Sequence, residues 1–117
     1  MKRGQSEYDQ FVVNRGQSLA PIGLSEVALT YGDAQEAVKL ALAWQRSILG
    51  GDVYLRAGTV IEPAYANWHV DRRDGETDDT FVQRSCAETE RYLKKLSPCA
   101  VGKEYLIVIV TGNSQAL

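Results

Sequence analysis

Cysteine and histidine are nearly missing from this chain: 117 residues include two cysteines, Cys86 and Cys99, and one histidine, His69. Structural zinc usually takes about four Cys or His ligands, so one histidine with scattered carboxylates makes a poor metal site. No metal and no other cofactor is expected. The two cysteines lack metal-site spacing, and in a reducing compartment they read as reduced, partly buried small hydrophobes rather than a disulfide. Long apolar runs are missing as well. The longest, Tyr105–Val110, is far short of the roughly 20 residues that a membrane-spanning helix needs. The opening decapeptide, Met1 to Gln10, starts basic but lacks the apolar run of roughly 7–15 residues that a secretory signal carries. A soluble, cytoplasmic protein without membrane contact is the expectation. Charge of one sign is also lacking, since 13 Lys+Arg stand against 15 Asp+Glu, for a net charge of −2 and a pI near 5.4. No basic field exists to gather phosphates, which argues against direct nucleic-acid binding.

What is present is enough apolar material for one core. The chain is 44% hydrophobic, and its length fits a single domain. Residues 1–10 are polar and unpatterned and read as a flexible N-terminus, which leaves 11–117 as the domain. Phe11 to Gly16 reads as a helical turn or a strand, and Pro21 to Ser25 as a connection, with Val27, Ala28 and Leu29 as an apolar anchor before the next element. Asp33 is placed to cap a helix running to about Ile48, with Ala34, Ala37, Val38, Ala41 and Leu42 forming its apolar stripe. Leu49-Gly50-Gly51-Asp52 then reads as the helix exit, because glycine takes positive φ at little cost.

Val53–Arg56 and Thr59–Glu62 flank Ala57-Gly58 as a hairpin. Pro63 ends the second strand or places it at an edge, so Tyr65 to Asp71 either leaves the sheet or forms a bulged extension. Thr77 caps a second helix, on which Phe81, Val82, Ser85, Cys86, Thr89, Tyr92, Leu93 and Leu96 share one side until Ser97-Pro98 stops it. Tyr105–Val110, rich in Val and Ile, reads as the central strand. The order is helix, strand, strand, helix, strand after an irregular N-terminal segment. That order predicts an α+β fold: a small antiparallel or mixed three-stranded sheet with two main helices packed on one face.

Two constellations carry the functional reading. The run from Asp71 to Asp79 holds five acids, Asp71, Asp74, Glu76, Asp78 and Asp79, against two arginines. Its spacing does not match an EF-hand loop, and acids ahead of a helix serve capping and the helix dipole. As a cluster they also form an electrostatic docking patch for a basic partner. Beside them stand Tyr65, Trp68 and His69. Tyr65 and Trp68 read most simply as core or semi-core aromatics under the sheet, but Trp and Tyr are also the residue types enriched at interface hot spots, which leaves a mixed patch open. Trp44 lies nearer the polar side of the first helix. A nucleophilic pair of His69 with Cys86 or Cys99 would need a thiol activated by a base, and both thiols have structural roles open to them. Gly50-Gly51 matches no phosphate loop.

These residues, in their order, resemble a family of bacterial polymorphic-toxin immunity proteins, immunity protein 40. The resemblance rests on Gly16-Gln17-Ser18-Leu19, Ile22-Gly23, Glu26-Val27-Ala28-Leu29, Ile48-Leu49-Gly50-Gly51-Asp52-Val53-Tyr54, Tyr65-Ala66-Asn67-Trp68, Asp71, Gly75-Glu76, Phe81-Val82-Gln83-Arg84-Ser85 and Tyr92. It covers most of the chain from about Phe11. His69 departs from it, standing where another aromatic is expected, and the tail after Thr111 has no pattern. The resemblance implies a cytosolic protein, not an enzyme, that binds and neutralises a cognate toxin domain and has no catalytic residues of its own. Trp68, His69, Asp71, Asp74, Glu76, Asp78 and Asp79 are the expected partner-binding set, and a nuclease toxin would offer them a basic face. The alternatives are a small hydrolase using His69 or the acidic loop, which predicts a pocket with converging polar groups, and a subunit of a permanent complex, which predicts a broad apolar face.

Overall fold

The computed structural model describes residues 6–112. Residues 1–5 of the expected flexible N-terminus and 113–117 of the patternless tail lie outside them. In chain order the elements are helix α1 (Glu7–Arg15), strand β1 (Gln17–Ser18), a 3-10 turn over Ala20–Ile22, strand β2 (Val27–Thr30), helix α2 (Tyr31–Ala43), strands β3 (Ile48–Ala57) and β4 (Val60–His69), helix α3 (Asp78–Lys94) and strand β5 (Glu104–Thr111). The class is α+β, as the patterning predicts. The sheet is larger than predicted, with five antiparallel strands in the order β1-β2-β5-β3-β4 rather than three. The two additional strands come from segments read as irregular, because β1 and β2 are too short to show alternation.

α1 begins at Glu7, ahead of the expected start near Phe11. Ser6 caps it by accepting from the Asp9 amide at 3.1 Å. Its polar sequence conceals an inward face, on which Tyr8 is buried and Phe11 and Val12 are partly so. Arg46 holds that helix in place: the guanidinium donates to both Asp9 carboxylate oxygens at 3.0 and 3.1 Å and to Thr111 Oγ1 at 2.8 Å, and it lies over the Tyr8 ring.

α2 is capped by Thr30, whose hydroxyl accepts from the Asp33 amide at 3.2 Å; Asp33, the expected cap, sits in the first turn and pairs with Arg15. Ala34, Ala37, Val38 and Ala41 are buried as their spacing predicts. The helix stops at Ala43, well before Ile48, because Trp44 closes it and Gln45 takes the left-handed φ of 55°. α3 follows the sequence reading closely. Thr77 caps it through the Thr80 amide, and Phe81, Val82, Ser85, Cys86, Thr89 and Leu93 are buried.

Gly50 and Gly51 are the main correction. They lie inside β3 rather than at a helix exit, paired across the ladder with His69 and Trp68. A side chain at Gly51 would overlap the Trp68 ring and the Val108 carbonyl oxygen, and one at Gly50 would overlap the Trp68 carbonyl oxygen. Glycine inside a strand marks a bulge or a close approach, and this pair serves both, since the β3–β5 register also shifts between Ile48 and Gly50. β4 takes the second of its two expected courses. It runs past Pro63 as an edge strand, with pairing that jumps from Val53↔Ala66 to Tyr54↔Pro63 and leaves Ala64 and Tyr65 as a bulge.

β5 occupies the sheet centre, as its apolar run predicts. The three helices pack on one face over Leu29, Ile48, Val53 and Ile107. On the opposite face Leu19, Ile22 and Leu24 cover Ala28, Tyr54, Leu106 and Val108. Arg56 pins that cover by donating to Gln17 and Glu104. Only part of the outer face is shielded in this way. Around Gly50, no element among the described residues lies over it.

Candidate functional site

The alternation along β4 decides what each expected site residue can reach. Ala64, Ala66 and Trp68 turn toward the helices, while Tyr65, Asn67 and His69 are exposed. Trp68 is therefore a core residue. It is 9% exposed, its Nε1 donates to Thr89 Oγ1 at 3.0 Å, and its ring stacks on Tyr92 at 5.0 Å with an interplanar angle of 25°. Tyr65 is the aromatic that meets solvent. It is 91% exposed and held in the bulge at φ 57°. A left-handed, non-glycine residue in a strand stores backbone strain, of the order of 1 kcal/mol or more. The signal that separates the two aromatics is in the sequence: Ala64, Ala66, Trp68 and Val70 are apolar at a period of two, with Tyr65, Asn67, His69 and Asp71 between them.

The acidic run divides in the same manner. Glu76 points inward, only 6% exposed, and the Arg84 guanidinium grips both its oxygens at 2.7 and 2.8 Å while the Arg73 amide donates to it at 2.9 Å. Arg84 also reaches Glu88 at 2.8 Å and the Asp71 carbonyl oxygen at 2.6 Å, so it fastens the loop between β4 and α3 to the helix. Asp78 pairs with Arg72 at 2.8 Å, and Asp79 accepts from Gln83 at 3.1 Å. Asp71 remains exposed, 3.2 Å from His69 Nε2, and Asp74 is exposed beside the Gly75 turn. His69, Asp71 and Asp74 thus face solvent, Asp78 and Asp79 border them at the start of α3, and Glu76 and Trp68 hold the platform from within.

Hydrogen bonding from Arg84, more than any other cause, holds the Glu76 carboxyl down at about 2, against an ordinary value of 4.5. A depressed carboxylate stabilises the fold fully above about pH 4.5, and that contribution is lost as pH falls through about 2. Glu76→Gln should be less stable than wild type at pH 7, with the difference shrinking between pH 4.5 and 2 in urea melts. A difference that stays constant across that window would exclude the clamp.

Burial pushes the Cys86 thiol up to about 11, and its Sγ donates to the Arg46 carbonyl at 3.6 Å, so the thiolate needed of a nucleophile does not form at neutral pH. Cys86 and Cys99 are both free. No three His, Cys, Asp or Glu among the described residues gather as a metal site, and no helix there is long and apolar enough to cross a membrane.

Two surfaces of the platform meet at Leu49. A shallow hollow of about 380 Å³ opens over Gly50 and Gly51, bounded by Leu49, Asp52, Asn67, His69 and Val110. A groove of about 390 Å³ joins Leu49 to Val70, Asp71 and Arg72. Neither collects the acid, base and nucleophile of a hydrolytic site. Tyr65, His69, Asp71 and Asp74 are left exposed along this edge.

Comparison with known proteins gives this surface its context. No curated protein and no solved structure matches the chain. A protein-family model, described as Immunity protein 40, matches residues 18–111, a stretch that runs from the end of β1 through β5 and contains the Gly50-Gly51 pair, the β4 bulge and the Arg84 clamp. The chain belongs to the immunity protein 40 family.

Proposed function

We propose that this immunity protein acts in the cytoplasm by binding a cognate toxin domain and blocking it through protein–protein contact, without chemistry of its own. The family match over residues 18–111 carries the reading. The exposed groups support it: Tyr65 is an exposed aromatic in the β4 bulge, and His69, Asp71, Asp74, Asp78 and Asp79 are exposed polar groups further along the chain, from the end of β4 to the start of α3. Interfaces of this kind concentrate energy in a few aromatic anchors, while rim charges set the rate of encounter. A basic nuclease domain is the toxin that such a rim would steer best. Trp68 and Glu76 serve the interface indirectly, by fixing β4 and the loop that follows it.

The test is affinity capture of the tagged chain from cells that make it, with mass spectrometry of whatever elutes in stoichiometric amount, then an activity assay of the recovered toxin domain with and without added chain. One stoichiometric toxin domain that loses activity when the chain is added supports the proposal. A recovered domain that stays active, or no stoichiometric partner, overturns it. Tyr65→Ala should weaken the captured complex about thirtyfold, the loss expected of a hot-spot aromatic. Its melting temperature should hold, because the side chain is almost wholly in solvent. An affinity within twofold or so of wild type would remove Tyr65 from the interface.

A further inference from the structure

The outer face of the sheet contains a seat whose chemistry is more specific than a generic rim. Across the strands His69, Gly50 and Val110 form one row, and Asn67, Asp52 and Val108 the next. The centre of the first row has no side chain, so the backbone of Gly50 floors the hollow between Val110, 41% exposed, and His69. Leu49, 40% exposed, adds a second apolar wall. At the end of this trough lies the half-buried Asp52 carboxylate, which has no hydrogen bond or ion pair among the described residues. No lysine or arginine lines the hollow. A trough with two apolar walls, Val110 and Leu49, that ends in a carboxylate without a partner among the described residues is complementary to a long side chain with an apolar stem and a cationic head.

We infer that this trough is the seat for an arginine or lysine projecting from the basic face of the toxin domain, with its stem over Gly50 between Val110 and Leu49 and its charge against Asp52 and the Asn67 amide oxygen. The inference rests on the toxin-binding reading above and places the centre of that interface on the outer sheet face. The geometry favours such a partner on two grounds. Charge complementarity is local, because the carboxylate is present and no lysine or arginine among the described residues lines the hollow. The trough is also continuous with the proposed rim, since Leu49 borders both the hollow and the groove that leads to Asp71.

The experiment compares wild type with Asp52→Asn, Val110→Glu and a distant control, Glu90→Gln on α3, binding to the toxin domain recovered with the tagged chain, at low and high salt. Circular dichroism and melting establish that each variant is folded; if Val110→Glu is not, Asp52→Asn carries the test. Support is a loss of about thirtyfold or more in Asp52→Asn, together with a weaker salt dependence, and a loss of similar size in Val110→Glu, with Glu90→Gln unchanged. Folded Asp52→Asn and Val110→Glu that both bind like wild type would overturn the seat while leaving toxin binding intact. If no toxin domain is recovered with the tagged chain, or the recovered one does not rebind wild type once purified, the reading beneath it falls, and the seat with it. Sedimentation of the chain alone supplies the remaining outcome. If Val110→Glu converts a dimer to monomer without changing toxin affinity, the face joins two copies of this chain and the inference fails.

Discussion

Trp68→Ala should lower the stability of the fold by about 3–5 kcal/mol, the usual cost of removing a large buried aromatic, and its melting temperature by roughly 10–20 °C. The ring is 9% exposed, stacks on Tyr92 and donates to the buried Thr89 hydroxyl, so its removal empties the space between β4 and α3 and strands a polar group. Domains of this size have a net stability of about 5–15 kcal/mol, which makes this loss a large fraction of the whole. Trp68→Phe separates the two causes. It keeps most of the stack and loses the indole donor, with an expected cost of about 1–3 kcal/mol. Urea unfolding with matched slopes is the measurement, and a loss below about 1 kcal/mol for the alanine variant would mean that the ring is not part of the core.

Gly51→Ala should cost about 3 kcal/mol, because the added methyl meets a carbonyl oxygen on β5 and a packed ring on β4 at once. Neither neighbour yields easily: the oxygen belongs to the central strand, and the ring is clamped between Gly51 and Tyr92. The two substitutions should also be coupled. In a Trp68→Ala background the methyl no longer meets the indole ring, so Gly51→Ala should cost less there than in wild type. Additive losses in the double-mutant cycle would refute the close approach of ring and glycine, while a coupling of about 1 kcal/mol or more would establish it.

The sequence made some of this fold readable and hid other parts for specific physical reasons. α3 was legible because one apolar side over many residues, a Thr77 cap and a Ser97-Pro98 stop all agree. β5 was legible because a six-residue run of Tyr, Leu, Ile and Val fits the middle of a sheet. Gly50-Gly51 was misread because the local preference of glycine signals an ending, whereas its role here is set by Trp68, a partner distant in sequence. α1 was hidden by polar residues that satisfy caps and ion pairs, a demand visible only once Arg46 is in place. Exposure along the candidate residues was half legible: Trp68 is buried as a core aromatic, whereas Tyr65, given the same two options, is exposed, and Glu76 is gripped by Arg84 rather than left to solvent. Charge counting cannot tell a carboxylate that Arg84 will grip from one left to solvent.

The position of β5 bears on how the chain comes off the ribosome. Until residues 104–111 are made, β2 has no neighbour on its far side and β3 has only β4, so the nascent protein consists of two small ribbons with no strand joining them. At about 5–20 residues per second, the gap between finishing β4 and finishing β5 lasts a few seconds. During that interval the open flank of β3 and the helix-facing apolar surface of both ribbons are exposed to trigger aggregation or to recruit chaperones. A chain assembled in this order has no complete sheet until β5 is finished. If the toxin-binding proposal holds, finished molecules have to be in stock before the toxin arrives.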